Sequence, residues 1–405
     1  MGEATQTGFF VEEVARRLRR GHGLGSKKPK QEHSFDDGRP RVASSGNPDT
    51  AKLVVVGEMP GQTEVDQGEA FVGESGQFLR RVIVEEMGLD PGRDVYYGNV
   101  IPYRAEELTT DAQKVRMGKR TVGYLLEELM ALPGRPILGV GGVALGVLTK
   151  EHGITGERGI LRHLEDGRSF FPTYHPAHLL RADPAVRRGL EKTFRTDLRR
   201  FGEWLQKPKR SPVGRMVKTE KELRDAQRYL SSRPLLFFDF ETPSLAAWAE
   251  PIGQARILAV GFSSTPGEAI GIAIDLPDNP LPVGEAKKAV SRILASPGAK
   301  GGLHLQHDLH WARMAGFEVV NVRWDDMLAA TLLAYKPYTE IRSNLLRLAA
   351  DWLGEIEYPW WQVDKTRMAE YPAETVVGVA MTDAEWELRL HHALWAELAM
   401  RKRAI

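Results

Sequence analysis

Two acidic side chains, Asp239 and Glu241, stand at the end of the apolar stretch 235–242, which a proline follows directly. A short apolar run closed by a turn signal predicts a buried β-strand, and alternation along the strand points both carboxylates to one face. Adjacent carboxylates repel each other and are costly to bury without a partner. A divalent cation removes both costs, because hard cations prefer carboxylate oxygen. The alternative is a strand end that frays into solvent with both acids hydrated.

A further acid, Asp383, lies on an apolar stripe near the end of the chain. The other members of the stripe recur at helical spacing and are Val376, Val379, Ala380, Trp386 and Leu390. This spacing predicts one buried helix face. An acid on such a face needs a partner.

Strands that alternate with helices are predicted over residues 52–205. The predicted strands are 52–56, 95–97, 136–140 and 170–171, and the helices are 77–87, 116–132, 142–149 and 185–205. This order predicts a parallel sheet with helices on both faces, and ligands bind beyond the carboxyl ends of such strands. Glu58, Asn99 and His175 each follow a predicted strand, so we expect them to converge at that edge.

Composition shifts divide the chain into four segments. Residues 1–50 are predicted to contain a helix (9–20) and a flexible basic segment, residues 51–205 form the first domain, residues 206–214 are a linker, and residues 215–405 form the second domain. In the second domain we predict helices at 220–231, 282–294, 308–315, 326–335, 341–353 and 374–400. Predicted strands at 257–262, 269–274 and 302–305 join the acidic strand in a mixed sheet.

The composition excludes several classes of site and protein. The 405 residues include no cysteine, so disulfides, thiolate zinc sites, cysteine-ligated iron–sulfur clusters and cysteine nucleophiles are excluded. No apolar run approaches the ~20 residues of a membrane span, and the N-terminus lacks the apolar segment of a signal peptide. We therefore expect a cytoplasmic protein without membrane contact. Basic clusters at 16–30 and 187–215 either track phosphates or form solvated surface.

Four segments of the first domain carry a resemblance. They are Gly57-Glu58-Met59-Pro60-Gly61, Gly68-Glu69-Ala70-Phe71-Val72-Gly73 with Gly76, Asn99-Val100, and His175-Pro176-Ala177-His178-Leu179-Leu180-Arg181. In order and spacing they resemble the uracil-DNA glycosylase superfamily, most closely its thermophile-type family 4. The resemblance implies a three-layer αβα fold that excises uracil from DNA without a metal ion.

The resemblance also implies roles for single residues, since a flipped base needs a stacking partner and an edge reader. Phe71 stacks on uracil beside Gly57, and Asn99 binds the Watson–Crick edge. His175 stabilises the negative charge on the leaving base, and Glu58 orients or activates the attacking water. The wedge that enters the vacated stack is Leu179 or Leu180, and Arg181 contacts phosphate. Taken singly, Phe71 also fits a core residue, Asn99 a turn-bonding amide and His175 a turn histidine.

The first domain departs from family 4 at its cysteines. That family usually carries an iron–sulfur cluster on four cysteines, one of them shortly after the asparagine, where this chain has Asn99-Val100-Ile101-Pro102-Tyr103. We expect apolar packing through Tyr103 and the N-terminal helix to replace the cluster. The extra loop histidine of the covalently trapping branch is also missing, which favours an enzyme that turns over.

The second domain resembles the DEDD-type 3′–5′ exonuclease domain of A-family DNA polymerases, which has a ribonuclease H-like fold. The matching motifs are Asp239-Phe240-Glu241-Thr242, His304-Leu305-Gln306-His307-Asp308, Trp324-Asp325-Asp326-Met327-Leu328 and Val379-Ala380-Met381-Thr382-Asp383. The resemblance implies that Asp239, Glu241, Asp308 and Asp383 hold two Mg²⁺ or Mn²⁺ ions, which activate water and steady the leaving 3′-oxygen. Helix capping is the alternative for Asp308 and Asp325.

The second domain also departs from its family. Val379 stands where the family has the tyrosine that orients water, the alternative histidine would fall at Gly378, and His304 replaces an asparagine. We therefore expect a nuclease that binds metal and 3′ ends but cuts slowly, with Tyr371 or His307 as substitutes and a faster rate for Val379→Tyr.

Together the two domains resemble the N-terminal half of certain phage A-family polymerases, and the resemblance implies a bacterial or phage-infected host cell. The chain ends at Arg401-Lys402-Arg403-Ala404-Ile405 without thumb, fingers or palm, so we expect any polymerase to be a separate chain or absent. The sequence predicts a repair or proofreading protein that acts on uracil-containing single strands or 3′ ends. The alternative is a non-catalytic or partly catalytic DNA-binding accessory of a phage-type polymerase.

Overall fold

The computed structural model describes residues 39–207, 213–243, 255–334 and 345–403. They form two compact units that divide near residue 208. The predicted N-terminal helix, the basic cluster at 16–30 and most of the predicted linker lie outside the described residues. Among the helices of the described ranges, none is both long and apolar enough to cross a membrane.

The first unit contains a five-stranded sheet. Its strands are β1 (Leu53–Gly57), β2 (Val95–Asn99), β3 (Ile137–Val140), β4 (Arg162–His163) and β5 (Ser169–Thr173), in the order β2-β1-β3-β5-β4. All neighbours pair in parallel except β4, which runs antiparallel to β5. The predicted parallel sheet is therefore confirmed, with one antiparallel edge.

Helices cover both faces of this sheet. They are α1 (Gln62–Gln67), α2 (Glu74–Met87), α3 (Asp111–Leu129), α4 (Gly142–Leu148), α5 (Ile154–Glu157), α6 (Pro176–Arg181) and α7 (Pro184–Gln206). Val54 and Val56 share a core with α3 and α4. On the other face Phe171 of β5 stacks on Phe201 of α7, with 4.6 Å between ring centroids. The unit therefore has three layers, αβα.

The second unit contains a six-stranded mixed sheet. Its strands are β6 (Arg215–Met216), β7 (Leu235–Glu241), β8 (Ala259–Thr265), β9 (Glu268–Ala273), β10 (Ala299–Gly302) and β11 (Val322–Asp325), in the order β11-β10-β7-β8-β9-β6. Strand β7 pairs in parallel with β10 and antiparallel with β8. The acidic strand is therefore central, and not a free edge.

The helices of the second unit lie on both faces of the sheet. They are α8 (Glu220–Ser231), α9 (Val283–Leu294), α10 (Leu305–Met314), α11 (Asp326–Ala334), α12 (Leu345–Leu348), which continues as a π-helical turn (Ala349–Leu353), a 3₁₀ helix (Lys365–Glu370) and α13 (Ala373–Arg403). Leu236, Phe238 and Phe240 of β7 point to α8 and α9. On the opposite face α13 packs closely against β8. The absence of a side chain at Gly261 permits this contact, since a Cβ there would lie 2.0 Å from the Ala380 carbonyl oxygen.

Three predicted helix starts were three or more residues late, one of them being that of the helix predicted from 77, which begins at Glu74. The helix predicted from 116 begins at Asp111, because Thr110 accepts from the Gln113 amide and Gln113 returns the bond as a capping box. The helix predicted from Asp308 begins at Leu305, which places Asp308 inside the helix and removes the N-cap alternative. The buried stripe on α13 was predicted correctly, since all of its members are buried.

Candidate active sites of the two units

Three predicted site residues of the first unit lie at one edge of its sheet. Glu58, Asn99 and His175 stand at or just beyond the carboxyl ends of the parallel strands β1, β2 and β5. The Val100 amide donates to the Gly57 carbonyl oxygen, and the Ile101 amide donates to that of Glu58. These bonds fix the loops after β1 and β2 to each other, so the sheet brings the predicted residues to a common edge.

Gly57 permits the close approach of two of the predicted uracil contacts. A Cβ at this position would lie 2.6 Å from Asn99 Oδ1 and 2.6 Å from Phe71 Cζ. A side chain at residue 57 would therefore displace the amide or the ring, and Phe71 is buried. Gly57 thus brings Phe71 and Asn99 together at the end of β1.

The backbone of Phe71 is held in an uncommon conformation, with φ of 58°. Arg80 donates through Nε to the Phe71 carbonyl oxygen at 3.1 Å, and its guanidinium lies 4.1 Å from the Tyr97 ring centroid. The Phe71 and Tyr97 rings are 5.5 Å apart. Gly76 permits the close approach, because a Cβ there would lie 2.1 Å from the Phe71 carbonyl oxygen. Such strain is maintained only where the surroundings hold it, which is typical of ligand sites.

A buried acid that sequence reasoning missed, Glu64, joins the loops that carry Glu58 and Phe71. Its carboxylate accepts from the Gly61 amide at 3.1 Å and from the Gly73 amide at 2.9 Å. Gly61 closes the loop that carries Glu58, and Gly73 closes the loop that carries Phe71. Glu64 therefore sets the separation of the two loops.

Lys114 is a second missed residue of this site. Its Nζ lies 2.8 Å from Glu58 Oε1, and both side chains are partly buried. Lys114 comes from α3, the helix whose start was predicted five residues too late. An ammonium group at this distance fixes the orientation of the carboxylate.

His175 caps α6 and presents one ring nitrogen away from the helix. The Ala177 amide donates to Nδ1 at 3.1 Å, so the neutral imidazole carries its proton on Nε2. Burial lowers the pKa of His175 to about 4, and the positive charges of Arg181, Lys114 and His178 act in the same direction. His175 is therefore a neutral hydrogen-bond donor at neutral pH.

The segment before His175 is anchored to α7. Thr173 donates its hydroxyl proton to Asp197 Oδ2 at 2.7 Å, and Arg158 Nε donates to the same oxygen at 2.7 Å. Asp197 is fully buried. The strand end that precedes His175 is thus fixed by a buried ion pair.

The predicted DNA-contact residues follow on α6. Leu179 is buried, Leu180 is half-buried and Arg181 is exposed. Leu180 is therefore the leucine of the pair that retains an exposed surface. Tyr103, which we expected to help fill the place of the cluster, is buried with its hydroxyl 3.2 Å from Met117 Sδ.

In the second unit the structure brings together Asp239, Glu241 and Asp383. One carboxylate oxygen of each lies within 4.8 Å of the others. Burial, and then the charges of Glu241 and Asp383, raise the pKa of Asp239 well above its ordinary value. Burial also raises the pKa of Glu241, to about 7. Asp239 Oδ2 is buried and accepts no hydrogen bond from a described residue.

Asp308 stands beside this cluster on α10. It accepts from the Phe240 amide at 3.1 Å, which ties α10 to the middle of the acidic strand. Burial raises the pKa of Asp308 to about 7. The residues therefore fit a divalent cation: all donors are carboxylate oxygens, and burying their negative charge without a cation is unfavourable.

Asp325 caps a helix, which was the alternative role predicted for it from the sequence. Its carboxylate accepts from the amides of His304, Leu305 and Met327 at 3.0–3.2 Å. Asp325 thus caps α11 and holds the start of α10, where His304 has φ of 54°. It positions the helix that carries Asp308.

Tyr371 and His307 were predicted to replace the missing tyrosine, but a different tyrosine contacts the cluster. Tyr371 accepts from the Asp364 amide at 3.0 Å, and His307 is exposed and packs edge-on to Trp311. Instead, Tyr358 donates its hydroxyl proton to Asp383 Oδ1 at 2.7 Å. No periodicity in the sequence marked Tyr358.

Lys365 and Glu387 were also missed. Lys365 Nζ lies 2.6 Å from Asp383 Oδ2 and 3.4 Å from Glu241 Oε1. Burial opposes the charge of Lys365, but Asp383 and Glu241 raise its pKa well above its ordinary value. Glu387, one turn after Asp383, is buried, and burial followed by the charge of Asp239 raises its pKa strongly.

Comparison with known proteins divides the chain at the same place as the structure. The profile of the uracil DNA glycosylase superfamily matches residues 43–199, and a 3′–5′ exonuclease profile matches residues 214–399. A type-4 uracil-DNA glycosylase of Thermotoga maritima is 33% identical over 144 residues, which are 35% of this chain and 71% of that protein. The type-4 enzyme of Sulfurisphaera tokodaii is 29% identical over 166 residues, covering 38% and 71%.

A DNA polymerase of Bacillus phage SP01 is 32% identical over 133 residues, which are 32% of this chain and 14% of the polymerase. This chain therefore spans a small part of that relative. Among solved structures, Brucella melitensis NrnC matches with a TM-score of 0.35 and 18% identity, covering 48% of this chain and 85% of the other.

Proposed function

We propose that this chain excises uracil from DNA and trims DNA 3′ ends. It belongs to the uracil-DNA glycosylase superfamily through residues 43–199, and it carries a 3′–5′ exonuclease domain in residues 214–399. The observation that supports the first activity is the close contact of Gly57, Phe71 and Asn99 at the end of β1. It places an aromatic ring beside an amide, the two groups that a base taken out of the stack requires.

In the excision step, Phe71 stacks on the flipped base and Asn99 binds its Watson–Crick edge. Cleavage of the N-glycosidic bond leaves the electron pair on the base. His175 donates its Nε2 proton as a hydrogen bond to the oxygen that gains this charge. Glu58, held by Lys114, orients the attacking water and offsets the positive charge that develops on the sugar. Leu180 fills the vacated stack and Arg181 contacts phosphate.

In the trimming step, Asp239, Glu241, Asp308 and Asp383 hold divalent metal, for which we propose Mg²⁺ or Mn²⁺. When bound, the metal lowers the pKa of water and stabilises the leaving 3′-oxygen of a phosphodiester. Tyr358 fixes the orientation of Asp383, and Asp325 fixes the helix that carries Asp308. The observation that supports this activity is the buried, unpartnered Asp239 Oδ2 within a group of converging carboxylates.

A DNA-binding accessory of a phage-type polymerase is the second candidate. The observation that favours it is Val379, which is buried in the core where the exonuclease family has its tyrosine. The likeness to the phage SP01 polymerase suggests a polymerase as the partner. In this case both folds bind DNA and the second does not cut.

One gel tests both activities. A 5′-labelled single strand with one internal uracil is incubated with the protein in EDTA or in Mg²⁺, then analysed before and after hot alkali. We expect an alkali-dependent band at the uracil in EDTA, and a ladder that shortens from the 3′ end in Mg²⁺ only. A strand that is retarded on a native gel but never cut supports the accessory.

Variants assign each signal to its site. Glu58→Ala and His175→Ala should lose the alkali-dependent band and keep the ladder. Asp239→Ala combined with Asp383→Ala should lose the ladder and keep the band. Uracil release by Glu58→Ala and His175→Ala at the wild-type rate would contradict the assigned glycosylase site.

A further inference from the structure

The acidic cluster in the second unit is in direct contact with a lysine. Lys365 Nζ lies 2.6 Å from Asp383 Oδ2 and 3.4 Å from Glu241 Oε1, so its ammonium group stands between two of the three converging carboxylates. About half of the Lys365 side chain is exposed, so its stem reaches the cluster from the surface. The following points rest on the proposed metal-dependent exonuclease.

Both oxygens of Asp383 already have protein donors. Tyr358 donates to Oδ1 at 2.7 Å and Lys365 donates to Oδ2 at 2.6 Å. Charge-assisted bonds of this length are strong, and the ammonium group repels any cation that approaches the same oxygen. On the other side of the cluster, Asp239 Oδ2 has no partner among the described residues.

The segment that carries these donors is fixed to α13. Trp360 donates through Nε1 to Thr382 Oγ1 at 2.9 Å. Its ring packs on Gly378, where a Cβ would lie 2.2 Å from the ring. Asp364 caps the 3₁₀ helix that begins at Lys365 by accepting from the Thr366 amide at 2.9 Å. Lys365 is therefore held at the cluster by the packing of its own segment.

Two catalytic metal ions in one nuclease site lie ~4 Å apart and share carboxylate ligands. The ammonium group of Lys365 occupies the Glu241 and Asp383 side of the cluster, where one of them would bind. We propose that Lys365 replaces one of the two ions, so that the exonuclease domain binds a single divalent cation, on the Asp239 side, with Lys365 supplying the second positive charge.

Titration calorimetry with Mn²⁺ on the full chain tests this proposal. We expect one Mn²⁺ per wild-type chain and two per Lys365→Met chain, since methionine keeps the length of the stem without its charge. Lys365→Arg, which keeps the charge, should bind one. Lys218→Met removes a lysine that pairs with Glu374 outside the cluster, and it should also bind one. The Asp239→Ala, Asp383→Ala double variant gives the background to subtract.

Each other outcome counts against the proposal in a distinct way. Two Mn²⁺ per wild-type chain, or one in both wild type and Lys365→Met, would show that Lys365 does not replace an ion, and the metal-dependent nuclease would stand. If the wild-type chain binds no Mn²⁺ above the background, both the proposed metal site of the nuclease and this inference are contradicted. Circular dichroism on each variant confirms that the fold is retained.

Discussion

Lys114 Nζ lies 2.8 Å from Glu58 Oε1, so the carboxylate proposed to orient water is paired with a lysine from a separate helix. This pair fixes the rotamer of Glu58. Lys114→Met should slow uracil release about tenfold, which is the loss of about 1.4 kcal/mol of transition-state stabilisation. Arg116→Met, on the exposed surface of the same helix, should leave the single-turnover rate unchanged. Equal single-turnover rates for both variants and wild type would show that Lys114 does not contribute to uracil release.

The pH dependence of uracil release reports the state of His175. Because its pKa is lowered to about 4, His175 stays neutral between about pH 5 and pH 8, and its donor Nε2–H is present throughout. We expect no loss of single-turnover rate with a midpoint near the ordinary histidine pKa of about 6.5. Such a loss, absent in His175→Gln, would show that His175 titrates as an exposed histidine.

The same lowered pKa of His175 affects stability in a defined direction. The unfolded chain binds this proton below pH ~6.5 and the folded chain only below about 4, so the contribution of His175 to stability falls as pH decreases through this window. Urea unfolding of wild type and His175→Gln between about pH 4 and pH 7 should show the smaller pH dependence for the variant.

Glu64 should determine the geometry of the proposed uracil site. Glu64→Ala leaves the amides of Gly61 and Gly73 without their acceptor, which costs about 1–3 kcal/mol for buried donors. We expect a lower urea midpoint and a raised KM for uracil-containing DNA. Asp66→Ala, an exposed acid of the same helix, is the control and should change neither value. An unchanged KM for Glu64→Ala would mean that the two loops keep their separation without it.

Much of this first site follows from the sequence, and the reason is geometric. The ends of parallel strands meet at one edge, so Glu58, Asn99 and His175 were placed correctly from strand order alone. Lys114 and Glu64 were missed because their contacts depend on the exact start of a helix and on the path of a loop. The Gly61 to Glu64 spacing was the available signal, since an acid three residues after a helix start often accepts from the cap amide.

In the second site the acids could be predicted, but their partners could not. Asp239, Glu241 and Asp383 stand on a strand and a helix whose periodicity fixes their direction. Tyr358 and Lys365 come from an irregular segment, where no repeat relates position in the chain to direction in space. Contacts from such segments depend on tertiary packing, here that of Trp360 on Gly378.

Tyr358 should contribute to trimming without contributing to metal affinity. Tyr358→Phe removes the hydroxyl that donates to Asp383 Oδ1 and leaves the ring in place. We expect 3′ trimming to slow about tenfold, as for the loss of one hydrogen bond to a charged group, while Mn²⁺ affinity stays within about twofold. Tyr371→Phe is the matched control, because that hydroxyl bonds to the Asp364 main chain. Equal trimming by both variants would show that Tyr358 is a packing residue.

The burial of Val379 changes the outcome expected for Val379→Tyr. Val379 is fully buried in a core formed with Leu258 and Ala273, so the sequence-based expectation of a faster nuclease no longer follows. A tyrosine would overpack this core and should lower the free energy of unfolding by about 1–3 kcal/mol. Val283→Tyr, at an exposed valine, should be nearly neutral in the same urea unfolding measurement. Faster trimming at unchanged stability would contradict this view.

Tyr103 and Met117 meet in a part of the first unit that is packed without cysteine, with the Tyr103 hydroxyl 3.2 Å from Met117 Sδ. A phenol beside a polarizable thioether holds this region through packing. Oxidants that link thiols or dismantle cysteine-ligated iron–sulfur centres therefore have no such target among the residues of this chain.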